Sequence, residues 1–175
     1  MRARTPRRPR PPLDEAALKE LGLAYVARFA TSRGKMADYL RRKLYERGWG
    51  GTGDPPVARI VEWAAEAGFV DDQAFALAKA QSLGGRGYGE RRVGQALRAA
   101  GIEENDGAAA RDFSRDTAEE AALRFARRKR IGPFGPAVLD RKESERAMAA
   151  MIRAGHAFEL AKRILALPPG FDSVP

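Results

Sequence analysis

Arg86 and Tyr88 sit two residues apart in the stretch Gly84-Gly85-Arg86-Gly87-Tyr88-Gly89. A guanidinium can fork onto a phosphate or a carboxylate. A tyrosine ring can stack on a nucleobase, or it can cap the turn against the next helix. Gly85, Gly87 and Gly89 leave two readings of the backbone. The turn amides can cradle one phosphate as a nest, or the stretch is a plain interhelical turn. It is not a dinucleotide or P-loop fingerprint, because it follows a helix rather than a strand and lacks the Lys-Ser/Thr pair.

His156 is the one histidine of the chain. It directly follows Gly155 and reads as a capping or surface residue, since nothing near it in sequence would orient it as a general base. Glu103, Glu104 and Asp106 cluster, but no histidine or further carboxylate is placed to complete a metal shell, so they read as a solvated loop and cap. There is no cysteine, hence no disulfide framework and no thiolate nucleophile or metal ligand. The expectation is a protein without a catalytic site, a metal or a cofactor, and a cytoplasmic one.

Composition bounds the partner. The 175 residues carry a net charge of +9, and the pI is about 10.3. Polyanions, either nucleic acid or an acidic protein surface, are the expected partners. Five of the charges lie on Arg2, Arg4, Arg7, Arg8 and Arg10, which leaves +4 for the rest. That Arg- and Pro-rich stretch has almost nothing to bury and reads as a disordered basic arm over residues 1–12. No apolar run approaches the roughly 18 residues of a membrane span, so no membrane partner is expected.

The elements that would position these residues are helices. Leu18, Leu21, Tyr25 and Phe29 recur at helical spacing within Leu13 to Thr31. Ser32-Arg33-Gly34 reads as a turn. Lys35 to Arg47 reads as a second helix with Met36, Leu40 and Leu44 inward and a basic exterior at Arg41, Arg42, Lys43 and Arg47. Asp54 and Pro55 read as the start of a third helix, with Pro tolerated at the first position. Asp71 or Asp72 can N-cap the next, and Gly84 and Gly85 read as its break. Val93, Leu97 and Ala100 define a further helix ending at Gly101, followed by a short one near Gly107 to Phe113. Thr117-x-x-Glu120 reads as a capping box, opening a helix whose end carries Arg127, Arg128, Lys129 and Arg130. Asp140 to Gly155 and a last helix through Phe158, Ala161 and Ile164 complete the series.

Leu44/Gly48, Leu97/Gly101 and Met151/Gly155 each place an apolar residue four before a helix-ending glycine, at spacings of 53 and 54 residues. A fixed period of this size signals a helical repeat array. The expected fold class is all-α, with three tandem three-helix repeats in an elongated, curved array. The repeats would span 13–69, 70–114 and 115–167, with a flexible tail over 168–175.

Phe69-Val-Asp-Asp-x-x-Phe75-Ala76, followed by Arg86-Gly-Tyr88-Gly89-x-x-Arg92, resembles the signature of RecX proteins, bacterial regulators of the RecA recombinase. Ala149-Ala-Met-Ile-Arg-Ala-Gly155-His-x-Phe158-x-x-Ala161-Lys-Arg-Ile164 resembles that family's last repeat. The likeness runs from about Leu13 to Leu167. It implies a partner, the RecA nucleoprotein filament with its single-stranded DNA, met by a monomer along the filament groove. It also implies an activity: negative regulation of filament extension, strand exchange, ATP hydrolysis and co-protease action, within DNA repair, homologous recombination and the SOS response.

Charge and repeat position select Arg33, Lys35, Arg41, Arg42, Arg86, Tyr88, Arg91, Arg92, Arg127, Arg128 and Arg130 as contact candidates. The family motif itself matches Arg86, Tyr88 and Arg92. The alternative is a stand-alone nucleic-acid-binding protein of helix-turn-helix-like repeats, with the basic helices 35–47 and 90–101 set against phosphates.

Overall fold

The computed structural model describes residues 11–136 and 140–170. The first ten residues of the expected basic arm and residues 171–175 of the expected tail lie outside them. Among the described residues there are nine α-helices, one 3-10 turn at Gly132–Phe134 and a single isolated parallel bridge between Leu13 and Trp49. The class is all-α, as expected. The chain divides into two compact units, Met1–Asp71 and Asp72–Pro175.

The first unit holds α1 (Glu15–Val26), α2 (Arg33–Arg47) and α3 (Val57–Glu66). Asp14 starts α1 by accepting from the amide of Ala17 at 2.8 Å, which satisfies a first-turn donor that the helix cannot. Ser32 does the same for α2 through the amide of Lys35 at 3.2 Å. Ser32-Arg33-Gly34 is therefore not a turn: Ser32 is the cap, and Arg33 and Gly34 are already helical. α3 starts later than expected, with Pro56 before it and no side-chain cap. Leu18, Met36, Leu40, Ile60, Val61 and Ala64 close the core. Gly22 lets α1 approach α2, since a Cβ there would come within 2.7 Å of Met36 Cε. Pro11 is held by the Arg47 guanidinium, whose Nε and Nη2 donate to its carbonyl at 3.1 and 2.9 Å. Trp49 and Trp63 are half-buried against the core.

The second unit holds α4 (Asp72–Gly85), α5 (Glu90–Ala99), α6 (Ala108–Asp116), α7 (Ala118–Lys129), α8 (Arg141–Arg153) and α9 (Phe158–Leu165). Gly84 and Gly85 belong to the last turn of α4, so the break falls at 86–89. The expected capping box at Thr117 does not form. Only Thr117 separates α6 from α7, and its hydroxyl donates backward to Phe113 O at 2.8 Å. The box forms instead at Asp140, which accepts from Glu143 N at 2.7 Å while Glu143 accepts from Asp140 N at 3.0 Å.

Two apolar clusters lie inside this unit. One gathers Ala76, Ala80, Leu83, Val93 and Leu97, and the other Ala122, Phe125, Met151, Ala161 and Ile164. Tyr88 packs against both. The three periodic glycines adopt φ of 79° (Gly48), 69° (Gly101) and 97° (Gly155). Each ends its helix in a backbone region closed to most L-residues.

Candidate functional site

The turn at 86–89 is built by hydrogen bonds that use every amide. Arg86 N and Tyr88 N donate to Leu83 O at 3.1 and 3.0 Å, and Gly87 N donates to Gly84 O at 2.8 Å. Gly89 N reaches Ala154 O at 3.0 Å, and Arg91 N reaches Gly155 O at 3.1 Å. A phosphate nest needs free, convergent N–H groups. These are taken, so the nest reading is overturned.

The glycines serve close backbone approach. Gly87 has φ 78°, and a Cβ on it would lie 2.8 Å from Phe125 N of α7. A Cβ on Gly89 would overlap the Gly155 carbonyl, and one on Gly155 would lie 2.5 Å from Arg92 N. The start of α5 is thereby pressed onto the α8–α9 turn.

His156 locks this arrangement from beneath. It is 1% exposed, not a surface or capping residue. With the proton on Nε2, it donates to Gly87 O at 3.1 Å. Its ring meets Phe125 edge-on at 5.6 Å. Nδ1 is buried without a partner, so a second ring proton would find no acceptor. Burial lowers its pKa below the ordinary 6.5. The Gly87 bond opposes this, and the nearby Arg128 charge adds to it.

Stability follows from that sign. Below about pH 6.5 the unfolded chain takes up a proton that the folded chain refuses. The contribution is complete above the unfolded value and is lost as pH falls toward the folded one. The thermal midpoint is expected to drop between neutral pH and about pH 5.5, above the range where most carboxylates titrate. His156→Gln, whatever its baseline stability, should show a flatter profile over that window. Equal slopes in the two proteins would mean that His156 is not the titrating group.

Above this support stands a cationic cluster. The guanidinium of Arg86 lies 5.5 Å from the centre of the Tyr88 ring, and that of Arg128 lies 5.7 Å from it. Arg128 also lies 5.3 Å from Phe125, and its Nη1 donates to the Arg86 carbonyl. Tyr88 is half-buried and packs between the two apolar clusters with these cations beside its ring. These contacts supply its expected packing role. Arg127 lies 4.8 Å from the Phe134 ring. Arg130 ends α7 with φ 54° and is the positive-φ non-glycine residue among those described.

Arg86, Arg91, Arg92, Arg127, Arg128 and Arg130 are all exposed. Among the described residues, none of them makes an ion pair with a carboxylate. Arg91 opens onto a groove of about 620 Å³ that Arg98, Arg111 and Arg153 also line, with Glu90 as its one acid. Sequence reading missed those three arginines. Arg98 was within reach, because it stands seven residues after Arg91 on the same helical face. Arg111 and Arg153 come from other helices.

In the first unit Arg33, Lys35, Arg41 and Arg42 are exposed on α2. Arg41 pairs with Asp38 at 3.0 Å, and Arg42 pairs with Glu46 at 3.8 Å. Such solvent-screened pairs hold weakly and can exchange for a polyanion. Lys35 and Arg42 open onto a second groove.

Among the described residues, no group of three or more His, Cys, Asp or Glu is placed to hold a metal. No helix among them is long and apolar enough to cross a membrane. The class so defined is an all-helical protein with an exposed arginine surface buttressed by glycine and histidine contacts.

No family model matches the chain. Curated relatives do. The regulatory protein RecX of Myxococcus xanthus (strain DK1622) is 32% identical over 170 residues, covering 93% of this chain and 90% of the relative. The regulatory protein RecX of Thermobifida fusca (strain YX) is 29% identical over 155 residues, covering 86% and 77%. Two solved structures share the fold. The crystal structure of RecX from Lactobacillus salivarius superposes with a TM-score of 0.63 at 15% identity, covering 85% of this chain and 92% of that one. A second crystal structure, of a regulatory protein RecX, gives a TM-score of 0.63 at 20% identity, covering 86% and 70%. The chain belongs to the RecX family of regulatory proteins, and the resemblance read from its motifs holds.

Proposed function

We propose that this protein is a negative regulator of the RecA recombinase. It binds the RecA–DNA filament and inhibits its extension, ATPase, strand exchange and co-protease activities. Family membership sets the class of activity. The observation that carries the reading further is the motif-matched pair Arg86 and Arg92. Both are exposed, and among the described residues neither has a carboxylate partner. The glycines and His156 around them hold the turn rigidly. A surface whose cations are pre-positioned and unspent is suited to a large polyanionic partner, because little ordering entropy is lost on contact.

In this reading Arg86, Arg91, Arg92, Arg127, Arg128 and Arg130 of the second unit, with Arg33, Lys35, Arg41 and Arg42 of the first, contact RecA or the DNA it coats. Tyr88, with Arg86 and Arg128 beside its ring, belongs to the same contact surface. The protein acts as a cytoplasmic monomer of three helical repeats along the filament. It inhibits by occupying subunit and DNA contacts, with no catalysis of its own.

The test is ATP hydrolysis by the same organism's RecA on single-stranded DNA, with this protein titrated in at substoichiometric ratios. Binding to the bare DNA is followed in parallel. The expected result is inhibition well before the DNA is coated. Inhibition that appears only once the DNA is covered would reduce the effect to competition for DNA. No inhibition at all would overturn the reading.

A further inference from the structure

The end of α1 and the start of α2 frame a groove of about 730 Å³ within the first unit. One wall is aromatic. Tyr25 and Tyr39 stack with ring centres 4.2 Å apart and planes within 9°. Phe29 leans on Tyr25 at 5.5 Å and 45°. Helical spacing with Leu18, Leu21 and Tyr25 assigns Phe29 to the core face, yet it is 53% exposed. α1 stops at Val26, and Phe29 lies just past it, its amide donating to Tyr25 O at 3.1 Å. The rim is cationic: Arg28, Lys35, Arg42 and Lys43 line it, and among the described residues no carboxylate does. Glu46 stands outside, pairing with Lys43 at 2.5 Å and Arg42 at 3.8 Å.

Three occupants are chemically conceivable, and the groove discriminates among them. An acidic peptide would use the cations and leave the aromatic wall without a partner. A duplex would offer phosphates but keep its base faces inside its own stack. A single strand offers both at once: unpaired bases with open π-faces, and a phosphate between each pair of bases. Phe29 presents a ring to such a base, the Tyr25–Tyr39 stack holds that ring, and the cations flank it.

We infer that this groove binds single-stranded nucleic acid, with a base stacked on Phe29 and the adjoining phosphates on Arg28, Lys35, Arg42 and Lys43. The inference deepens the proposed function by assigning the single strand a site, and it rests on that reading for the strand's relevance.

The full chain without RecA provides the test. Fluorescence anisotropy would compare a labelled oligo-dT, an abasic strand of equal length and charge, a duplex, and polyglutamate. The wild-type protein should bind oligo-dT roughly tenfold tighter than the abasic strand, from stacking of one base. Phe29→Ala should remove that advantage and leave abasic binding unchanged. Phe29→Tyr should keep the advantage, since it retains the ring. Arg28→Ala with Arg42→Ala should weaken both strands and flatten the log–log salt slope by roughly 0.7 for each phosphate no longer neutralised.

Equal binding of oligo-dT and the abasic strand would overturn the site. So would polyglutamate or duplex binding as tightly as oligo-dT, or an oligo-dT preference that survives Phe29→Ala. Phe29 is half exposed and packs on Tyr25, so Phe29→Tyr, which keeps that ring contact, controls for any loss of stability in Phe29→Ala. RecA inhibition separates the two readings. A protein that inhibits RecA yet shows no base preference overturns the groove and keeps the filament reading. One that shows a Phe29-dependent preference and never inhibits RecA keeps the groove and overturns the filament reading.

Discussion

Gly155→Ala is expected to destabilise the protein by about 3 kcal/mol or more, a large share of a typical domain's stability. Two effects add. Gly155 has φ 97°, and a left-handed backbone costs an L-residue roughly 1–2 kcal/mol. The new Cβ would also lie 2.5 Å from Arg92 N and 2.8 Å from Arg92 Cβ. Neither neighbour is the flexible end of a side chain, so backbone must shift, and overpacking of that kind costs about 1–3 kcal/mol.

Gly68→Ala is the control. Its φ is 74°, but nothing lies within 4 Å of its added Cβ. It should show only the backbone cost, about 1 kcal/mol. Urea unfolding followed by circular dichroism measures both. If the two variants are destabilised equally, the close packing of α5 on the α8–α9 turn is not a tight constraint, and the rigidity ascribed to the 86–89 turn fails with it.

Arg86→Glu combined with Arg92→Glu should weaken inhibition of RecA ATP hydrolysis by at least about tenfold. Both side chains are exposed, and exposed substitutions usually change stability by about 0.5 kcal/mol or less. Glu at position 92 falls in the first turn of α5, where a negative charge suits the helix dipole. Helical content and melting should therefore stay as in the wild type. Reversing Arg141 and Lys142 makes the same change in net charge elsewhere on the surface, and it should leave inhibition nearly intact. Full inhibition in the first double variant would remove the turn cluster from the binding surface. An equal weakening in both would mean that total charge, not this cluster, governs binding.

Much of the fold was legible because it is written locally. A helix is made by spacing and ended by a residue that tolerates positive φ. Gly48, Gly101 and Gly155 could thus be read as helix ends from their spacing alone. Caps were less legible. Ser32 and Thr117 are both hydroxyl residues before a helical run, but Thr117 has only itself between two helices and is spent on the one behind. Its backbone, at φ −97° and ψ 13°, is no longer extended as a capping residue's would be. Phe29 shows the same limit from another side. Periodicity assigned it to the core, but the helix ended three residues earlier and released it to the surface.

The sequence by itself determined the all-helical class, the family, the excess of cations and the two motif arginines. Each depends on composition or on neighbours a few residues apart. Only the tertiary structure decided the rest. It buried His156 under Gly87, which lies 69 residues away. It set Arg128 beside Arg86 and Tyr88, and it gathered Arg111 and Arg153 around Arg91. It also turned Gly87 and Gly89 from a candidate phosphate cradle into a packing joint. The physical reason is common to all of these. What a glycine or a histidine does depends on which distant backbone comes within van der Waals reach, and that distance is set by how the helices pack.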